Sequence, residues 1–434
     1  MTEKLTVKNF AGITDLEIEI KRINILIGPQ ASGKSVCAKL LFYFKNFVWE
    51  ILSVVENEQS KRNLDSNYSK KFEEYFPPDS WGQQYFLIRY EIANVFIEVS
   101  RKEENKGKIS FSYSELFKKE LAELRNLFKK SRGKNSERNV RHYDSNQLYS
   151  NQLYLSKVLQ DNLVEFLVTS IGREAAFTQL FIPAGRSFFA NLQNNIFSFL
   201  SSNNALDPFL REFGSIYETI KRVRIVSRGR GGEKDVKDIQ QVEINRLIEK
   251  SLCGKHIHEK GKDFLQVADG RRISIANSSS GQQETLPLTV MLATLPFLSS
   301  ARAGQTLYIE EPEAHLFPSA QRNIVELIAT VFNYRKDQFQ FFITTHSPYV
   351  LTAFNNLLQA GLLYQESSGD VQRQLEKIVS RYKSLDVSDL SAYVLMDGKC
   401  RSIVCPETGL IDAKVIDSVS DDLAIEFEQL LNLV

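Results

Sequence analysis

Gly28-Pro29-Gln30-Ala31-Ser32-Gly33-Lys34-Ser35 satisfies the spacing G-x-x-x-x-G-K-[ST]. It follows the apolar run Ile23-Asn24-Ile25-Leu26-Ile27 and precedes a helical pattern, the context that separates this motif from a chance glycine loop. A loop of this kind turns its backbone N–H groups, together with the N-terminus of the next helix, toward phosphate oxygens. Lys34 is expected to set its ammonium against β- and γ-phosphates, and Ser35 to offer its hydroxyl to Mg²⁺.

Three further clusters lie far downstream. Leu307-Tyr308-Ile309-Glu310-Glu311-Pro312 is an apolar strand ending in two carboxylates. Such a strand delivers its last side chains to the carboxyl edge of a parallel sheet, where nucleotides bind. Glu310 is expected to hold Mg²⁺ and Glu311 to orient or deprotonate an attacking water. Asn277-Ser278-Ser279-Ser280-Gly281-Gln282-Gln283-Glu284 places short side chains and a glycine at the start of an apolar helix, a second anion-binding geometry, although a Ser/Gly linker reads the same way. Ile343-Thr344-Thr345-His346-Ser347-Pro348 sets His346 just past another apolar strand, where contact with a γ-phosphate is feasible.

These residues need a layered α/β scaffold to meet. Leu5-Thr6-Val7, Leu16 to Ile20 and Ile23 to Ile27 read as strands, and a helix is expected from Ser35 through about Val55. Residues 85–98 and 109–113 look like strands, Ser114 to about Lys130 is helical, and a basic, polar stretch follows from Lys129 to His142. The tandem repeat Ser145–Tyr149 and Ser150–Tyr154 suits a helix start. A short strand ends at Phe181 to Gly185, and Lys221 to Lys234, with six basic residues and three glycines, reads as a loop. A helix is expected over 236–252, then strands near 256–267 and 272–275 with an Asp269-Gly270 turn. Strands at 306–309 and 340–344 are separated by a helix.

Composition limits the remaining choices. The 434 residues carry 54 Lys+Arg against 53 Asp+Glu, a formal charge of +1, so the chain as a whole does not announce nucleic-acid binding. Four scattered cysteines make no disulfide framework. Cys253, His256 and His258 provide one ligand fewer than a structural zinc site needs, and a structural role is preferred for them. The opening MTEKLTVKNF lacks the basic start and apolar core of a signal peptide, so a cytoplasmic location is expected. Thr285 to Ser300 is apolar but too short to span a bilayer and contains two prolines, so a buried helix is expected.

The order of these motifs resembles the ABC-type P-loop ATPase heads of the SMC, RecF and OLD families. The wording is most similar to the OLD-like AAA15 ATPases: VKNFAGI near the start, SSSGQQE, YIEEPEAHLFP and TTHSPYVL. The resemblance covers roughly residues 1–50 and 270–355. It implies an α/β head with a helical insertion and a small C-terminal α/β cap, divided into an N-terminal lobe (1–186), a helical and basic-loop insertion (187–253) and a C-terminal lobe (254–434). It implies ATP and Mg²⁺ as cofactors, with Gly28 to Ser35 on the phosphates, Ser35 and Glu310 on the metal, and Glu311 and His346 in the catalytic machinery. Ser279 and Gly281 would contact ATP bound by the opposing protomer of a head-to-tail dimer, and Ala314 to Phe317 would be the D-loop. Glu310 stands where transporter heads carry Asp, and Gln83, Gln84 and Gln179 are all candidates for the Q-loop glutamine.

The residues after His346 contain no Asp-x-Asp pair, so nuclease chemistry is not expected in this chain. By resemblance to the ATPase components of PARIS- and Septu-type anti-phage systems, the expected role is an ATP-hydrolysing sensor or scaffold. It would control a separately encoded effector, such as a TOPRIM or HNH nuclease, in response to a phage-encoded trigger. The alternative is a RecF/SMC-like DNA-repair ATPase that clamps DNA, with the basic segments 129–142 and 221–234 gripping phosphates.

Overall fold

The computed structural model describes residues 2–102, 108–138, 145–191, 206–230, 239–259, 262–297, 303–412 and 418–431. The chain opens with β1 (Glu3–Phe10), β2 (Ile13–Glu19) and β3 (Ile23–Ile27). Helices α1 (Lys34–Lys45), α2 (Phe47–Glu56) and α3 (Lys61–Tyr75) lead to β4 (Phe86–Ile92), β5 (Val95–Arg101) and β6 (Ile109–Tyr113). Two long helices, α4 (Glu115–Arg138) and α5 (Ser145–Ser170), precede β7 (Thr178–Ile182), α6 (Ser187–Asn191), α7 (Pro208–Arg230) and α8 (Ile239–Leu252). Next come β8 (Lys255–Glu259), β9 (Lys262–Gln266), β10 (Arg272–Ser274), α9 (Ser280–Thr294), β11 (Gln305–Glu310), α10 (Pro318–Tyr334) and β12 (Phe339–Thr345). The last elements are α11 (Pro348–Glu366), α12 (Asp370–Ile378), β13 (Leu390–Met396), β14 (Lys399–Ser402) and α13 (Ser418–Leu431).

Eleven strands form one mixed sheet in the order β6-β5-β4-β1-β2-β14-β13-β3-β12-β11-β7, and β10-β9-β8 form a small second sheet. From β13 to β7 neighbouring strands are parallel, whereas β6, β5, β4, β1 and β2 pair antiparallel. β14 joins the two halves: it is antiparallel to β13 and parallel to β2, with Lys399 opposite Asp15. The expected C-terminal cap therefore does more than cover the fold, because its strands sit between β2 and β3. This is the layered α/β arrangement, with a loop–helix connection after a central strand, that the motif spacing calls for.

The central strands are buried on both faces, which is why they read as unbroken apolar runs. Ile23, Ile25, Ile27, Leu307, Ile309, Phe341 and Ile343 pack into one core with α9, α10 and α11. Leu26, Tyr308 and Phe342 face the other, beneath α1, α2 and α3 and the antiparallel strands. Truncating such a residue to alanine costs about 2–5 kcal/mol. The apolar stretch from Thr285 is the buried helix expected, with Leu286, Leu288, Val290, Met291 and Leu292 at most 1% exposed. Among the described residues no helix is long and apolar enough to cross a membrane.

Several boundaries differ from the sequence expectation. The expected single helix from Ser35 breaks at Asn46, whose N–H caps the Phe42 carbonyl. Residues 85–98 are a hairpin, turning at Ala93 in the left-handed region (φ 50°) without any glycine to advertise it. The expected loop 221–234 is helical as far as Arg230. Phe209, Phe213, Tyr217 and Ile220 are buried at helical spacing and carry the helix into the glycine-bearing segment; 231–234 lie outside the described residues. Likewise the basic stretch from Lys129 is helical to Arg138, and 139–142 lie outside.

Candidate functional site

Parallel register brings the chemistry together. Ile27 pairs with both Thr345 and Val394, Glu310 pairs with Thr344, and Ile309 pairs with Ile182. The loops leaving β3, β7, β11 and β12 consequently emerge side by side at the carboxyl edge of the sheet.

The β3–α1 loop admits no side chain at its two motif glycines. A Cβ on Gly28 would meet the Leu395 carbonyl oxygen at 2.1 Å, and Gly33, at φ 100°, lies against the Ile13 side chain. Lys34, at the first turn of α1, folds back over the loop: its Nζ donates to Gly28 O at 2.9 Å and Pro29 O at 2.7 Å, with Ser32 Oγ at 3.4 Å. Burial lowers the Lys34 pKa, and the Glu311 and Glu313 carboxylates partly oppose that shift. Pro29, Gln30, Ala31 and Ser35 are exposed.

His346 bridges the loop to the carboxylates. Its Nδ1 lies 3.3 Å from Lys34 Nζ and its Nε2 lies 2.9 Å from Glu311 Oε1. A neutral ring protonated on Nε2 satisfies both contacts, accepting from the ammonium and donating to the carboxylate. Glu313 Oε1 accepts the Thr345 hydroxyl and the His346 backbone N–H, each at 2.7 Å. Glu311 itself sits at φ 43°, a conformation rare for a residue with a side chain, with its N–H bonded to Thr344 O at 2.9 Å.

Glu310 Oε2 accepts the Ala184 N–H at 3.1 Å, while its buried Oε1 has no hydrogen-bond partner. An orphan carboxylate oxygen, with the Ser35 hydroxyl on the neighbouring helix, matches the hard oxygen donors that Mg²⁺ takes. Arg186, 1% exposed, surrounds this strand end: its guanidinium donates to the carbonyls of Pro183, Glu310, Glu311 and Glu284. Arg186 and Glu313 escaped the sequence reading. A basic residue four positions past β7 and a third carboxylate in Glu310-Glu311-Pro312-Glu313 were the available signals.

Ser279 caps α9, its Oγ and N–H exchanging contacts with Gln282, and the Ser279 side is exposed. Gly281 is buried, and a Cβ there would meet the His315 carbonyl at 2.6 Å, so the helix start rests on the Ala314 to Phe317 turn. Among the described residues no hydrogen bond joins Ser279 or Gly281 to Lys34, Glu310, Glu311 or His346. Of the three glutamines considered, Gln179 is engaged by Tyr308 Oη at 2.8 Å and Gln83 by Arg101, and Gln84 is exposed before β4. The Pro183–Arg186 loop, not a glutamine, touches Glu310. Elsewhere, His256 Nε2 and His258 Nδ1 both contact Asp263 Oδ1, at 2.9 and 2.7 Å, and Lys221 pairs with the other oxygen. Among the described residues no group of three or more His, Cys, Asp or Glu is placed to hold a metal ion.

The family model described as "AAA ATPase domain" matches residues 89–351, more than half of the chain. The matched span includes Arg186, Ser279, Glu310, Glu311 and His346, and begins after the β3–α1 loop. No curated protein matches. Solved structures similar to the chain include an SMC head bound to the C-terminal winged-helix domain of ScpA (TM-score 0.39, 12% identity, 93% of this chain and 96% of that one). Others are the SMC head domain from Thermotoga maritima (0.34, 14%, 93% and 98%) and the recombination mediator protein RecF-ATPrS (0.33, 12%, 93% and 98%).

Proposed function

Since the chain belongs to the AAA ATPase domain family, we propose that it binds ATP at the β3–α1 loop, hydrolyses it with Glu311, and uses the cycle to control a separate effector protein. The observation that carries this reading is the continuous contact Lys34–His346–Glu311, which links the phosphate-binding ammonium to a carboxylate through one imidazole.

On binding, the Lys34 ammonium exchanges the Gly28 and Pro29 carbonyls for phosphate oxygens, and the loop amides and α1 N-terminus complete the cradle. Glu311 accepts a proton from the attacking water, and His346 stays within reach of both the γ-phosphate region and that carboxylate. Ser35 and Glu310 would hold Mg²⁺, which would supply positive charge against the phosphate oxygens. Ser279 and Gly281 act on a nucleotide held by a second copy, packed head to tail. Exposed Phe317 (78%), in the Ala314–Phe317 turn, and Tyr349 (55%), three residues past His346, support a partner face beside the site. The effector is a nuclease of an anti-phage system, by the resemblance of the motifs, and a phage component triggers it.

ATP hydrolysis by the purified chain tests the core of the reading, with Lys34→Ala as the control. Loss of turnover in a folded Lys34→Ala protein supports it; undiminished turnover overturns it. Co-purification with the product of a neighbouring gene tests the effector.

A further inference from the structure

We propose that Arg186 is a positioning residue that couples α9 to Glu311, so that the helix opened by Ser279 and Gly281 sets the geometry of the hydrolytic carboxylate. The proposal rests on the ATPase reading and extends it to a residue that is itself 1% exposed.

A fully buried guanidinium is an expensive way to fill space, and an apolar side chain of similar volume would serve packing as well. What arginine adds is a rigid fork of donors. Here the fork is spent on backbone: NH1 donates to Pro183 O at 2.8 Å and to Glu310 O at 2.7 Å, and NH2 donates to Glu311 O at 3.0 Å. The two successive carbonyls flank the point where β11 ends and Glu311 takes its φ of 43°. A backbone held in that sparsely populated region persists only when its surroundings determine it, and these bonds do so from one side while Glu311 N–H to Thr344 O does so from the other. The same loop also fixes the Glu310 side chain through Ala184 N–H.

The other end of the fork belongs to α9. Arg186 Nε donates to Glu284 O at 3.0 Å, the Arg186 backbone N–H donates to Glu284 Oε2 at 2.7 Å, and that oxygen lies 3.7 Å from Nε. Glu284 is 3% exposed, lies within the first turns of α9, and is the first carboxylate among those that compensate the burial of the arginine. Glu284 follows Gly281 by three residues, so a partner that presses on the start of α9 displaces the anchor of Arg186. Through the guanidinium, that displacement reaches the carbonyls of Glu310 and Glu311. No contact between Ser279 and the nucleotide of its own chain is needed.

The test measures ATP affinity by calorimetry, steady-state hydrolysis and thermal melting in the wild type, Arg186→Lys, Glu284→Gln and the double variant. Expected are dissociation constants for ATP within threefold of wild type, kcat at least tenfold lower in each single variant, and a double variant no slower than Arg186→Lys. Wild-type kcat in a folded Glu284→Gln or Arg186→Lys protein overturns the proposal, as do losses that multiply in the double variant. If Arg186→Lys does not fold, Glu284→Gln alone decides, by whether kcat falls while affinity holds. A wild type that neither binds nor hydrolyses ATP is a separate result: it removes the ATPase reading, and the coupling with it.

Discussion

The Glu313 carboxylate accepts the backbone N–H of His346 at 2.7 Å, across thirty-three residues of sequence and from the neighbouring strand end. It also takes the Thr345 hydroxyl, so one buried side chain fixes the turn on which the imidazole is mounted. Glu313→Gln keeps the volume and can keep one acceptor, but it loses the charge that strengthens both bonds. The expected result is kcat lower by about tenfold with little change in KM, because the ring is displaced rather than the phosphate cradle. Steady-state ATP hydrolysis measures it.

Glu311→Gln is expected to separate binding from hydrolysis. The amide retains the reach to His346 but cannot take a proton, so turnover should fall by about 10²–10⁴ while ATP binding persists. Size-exclusion chromatography with ATP should then show a stable dimer. Normal turnover in this variant would assign proton abstraction to another group.

Mixing two defective proteins tests whether the site is shared. Lys34→Ala removes the phosphate contact in one subunit and Ser279→Arg blocks the start of α9 in the other. A head-to-tail pair of the two contains one doubly damaged site and one intact site, so activity should partly return on mixing. Mixed assembly without recovery would mean that each chain completes its own site.

A pH dependence of stability follows from Glu120 on α4, which shares a cleft with Glu123, Asn162 and Glu165. Burial, reinforced by Glu123, pushes its carboxyl up to about 7. The folded chain therefore holds this proton more tightly than the unfolded one. The stabilising contribution is full below the ordinary carboxylate range and is lost as pH rises through about 7. Glu120→Gln should raise the melting temperature at pH 8, by an amount corresponding to about 1–2 kcal/mol, and change it little at pH 4.5. Calorimetry at the two pH values checks the sign.

The parts of the molecule legible in the sequence were those governed by local pattern. β3, β11 and β12 are continuous apolar runs because both their faces are covered, and the loop after β3 needs Gly28 and Gly33 for reasons of space and φ. Long-range partners were not legible. Nothing around Arg186 announces that its fork ends on Glu310 and Glu311, more than 120 residues away. The Ala93 turn and the helical course of Lys221 to Arg230 were also hidden. In the first, an ordinary residue adopts the left-handed region; in the second, a buried stripe of Phe213, Tyr217 and Ile220 outweighs nearby glycines.

The placement of β13 between β3 and β14 bears on how the molecule is made. The Ser391 hydroxyl meets Asn24 Oδ1 across 367 residues, and Leu395 O closes on Gly28. At typical rates of synthesis, roughly 20–70 s pass between the emergence of β3 and that of β13. Until β12 is made β3 lacks both of its flanking strands, and until β13 follows it still lacks one, so its apolar edges are open to other chains. Contacts of such sequence separation also slow folding after release. The β3–α1 loop is thus among the first segments translated and among the last to acquire its finished surroundings, so a chain cut short before β13 lacks the wall that Leu395 builds against Gly28.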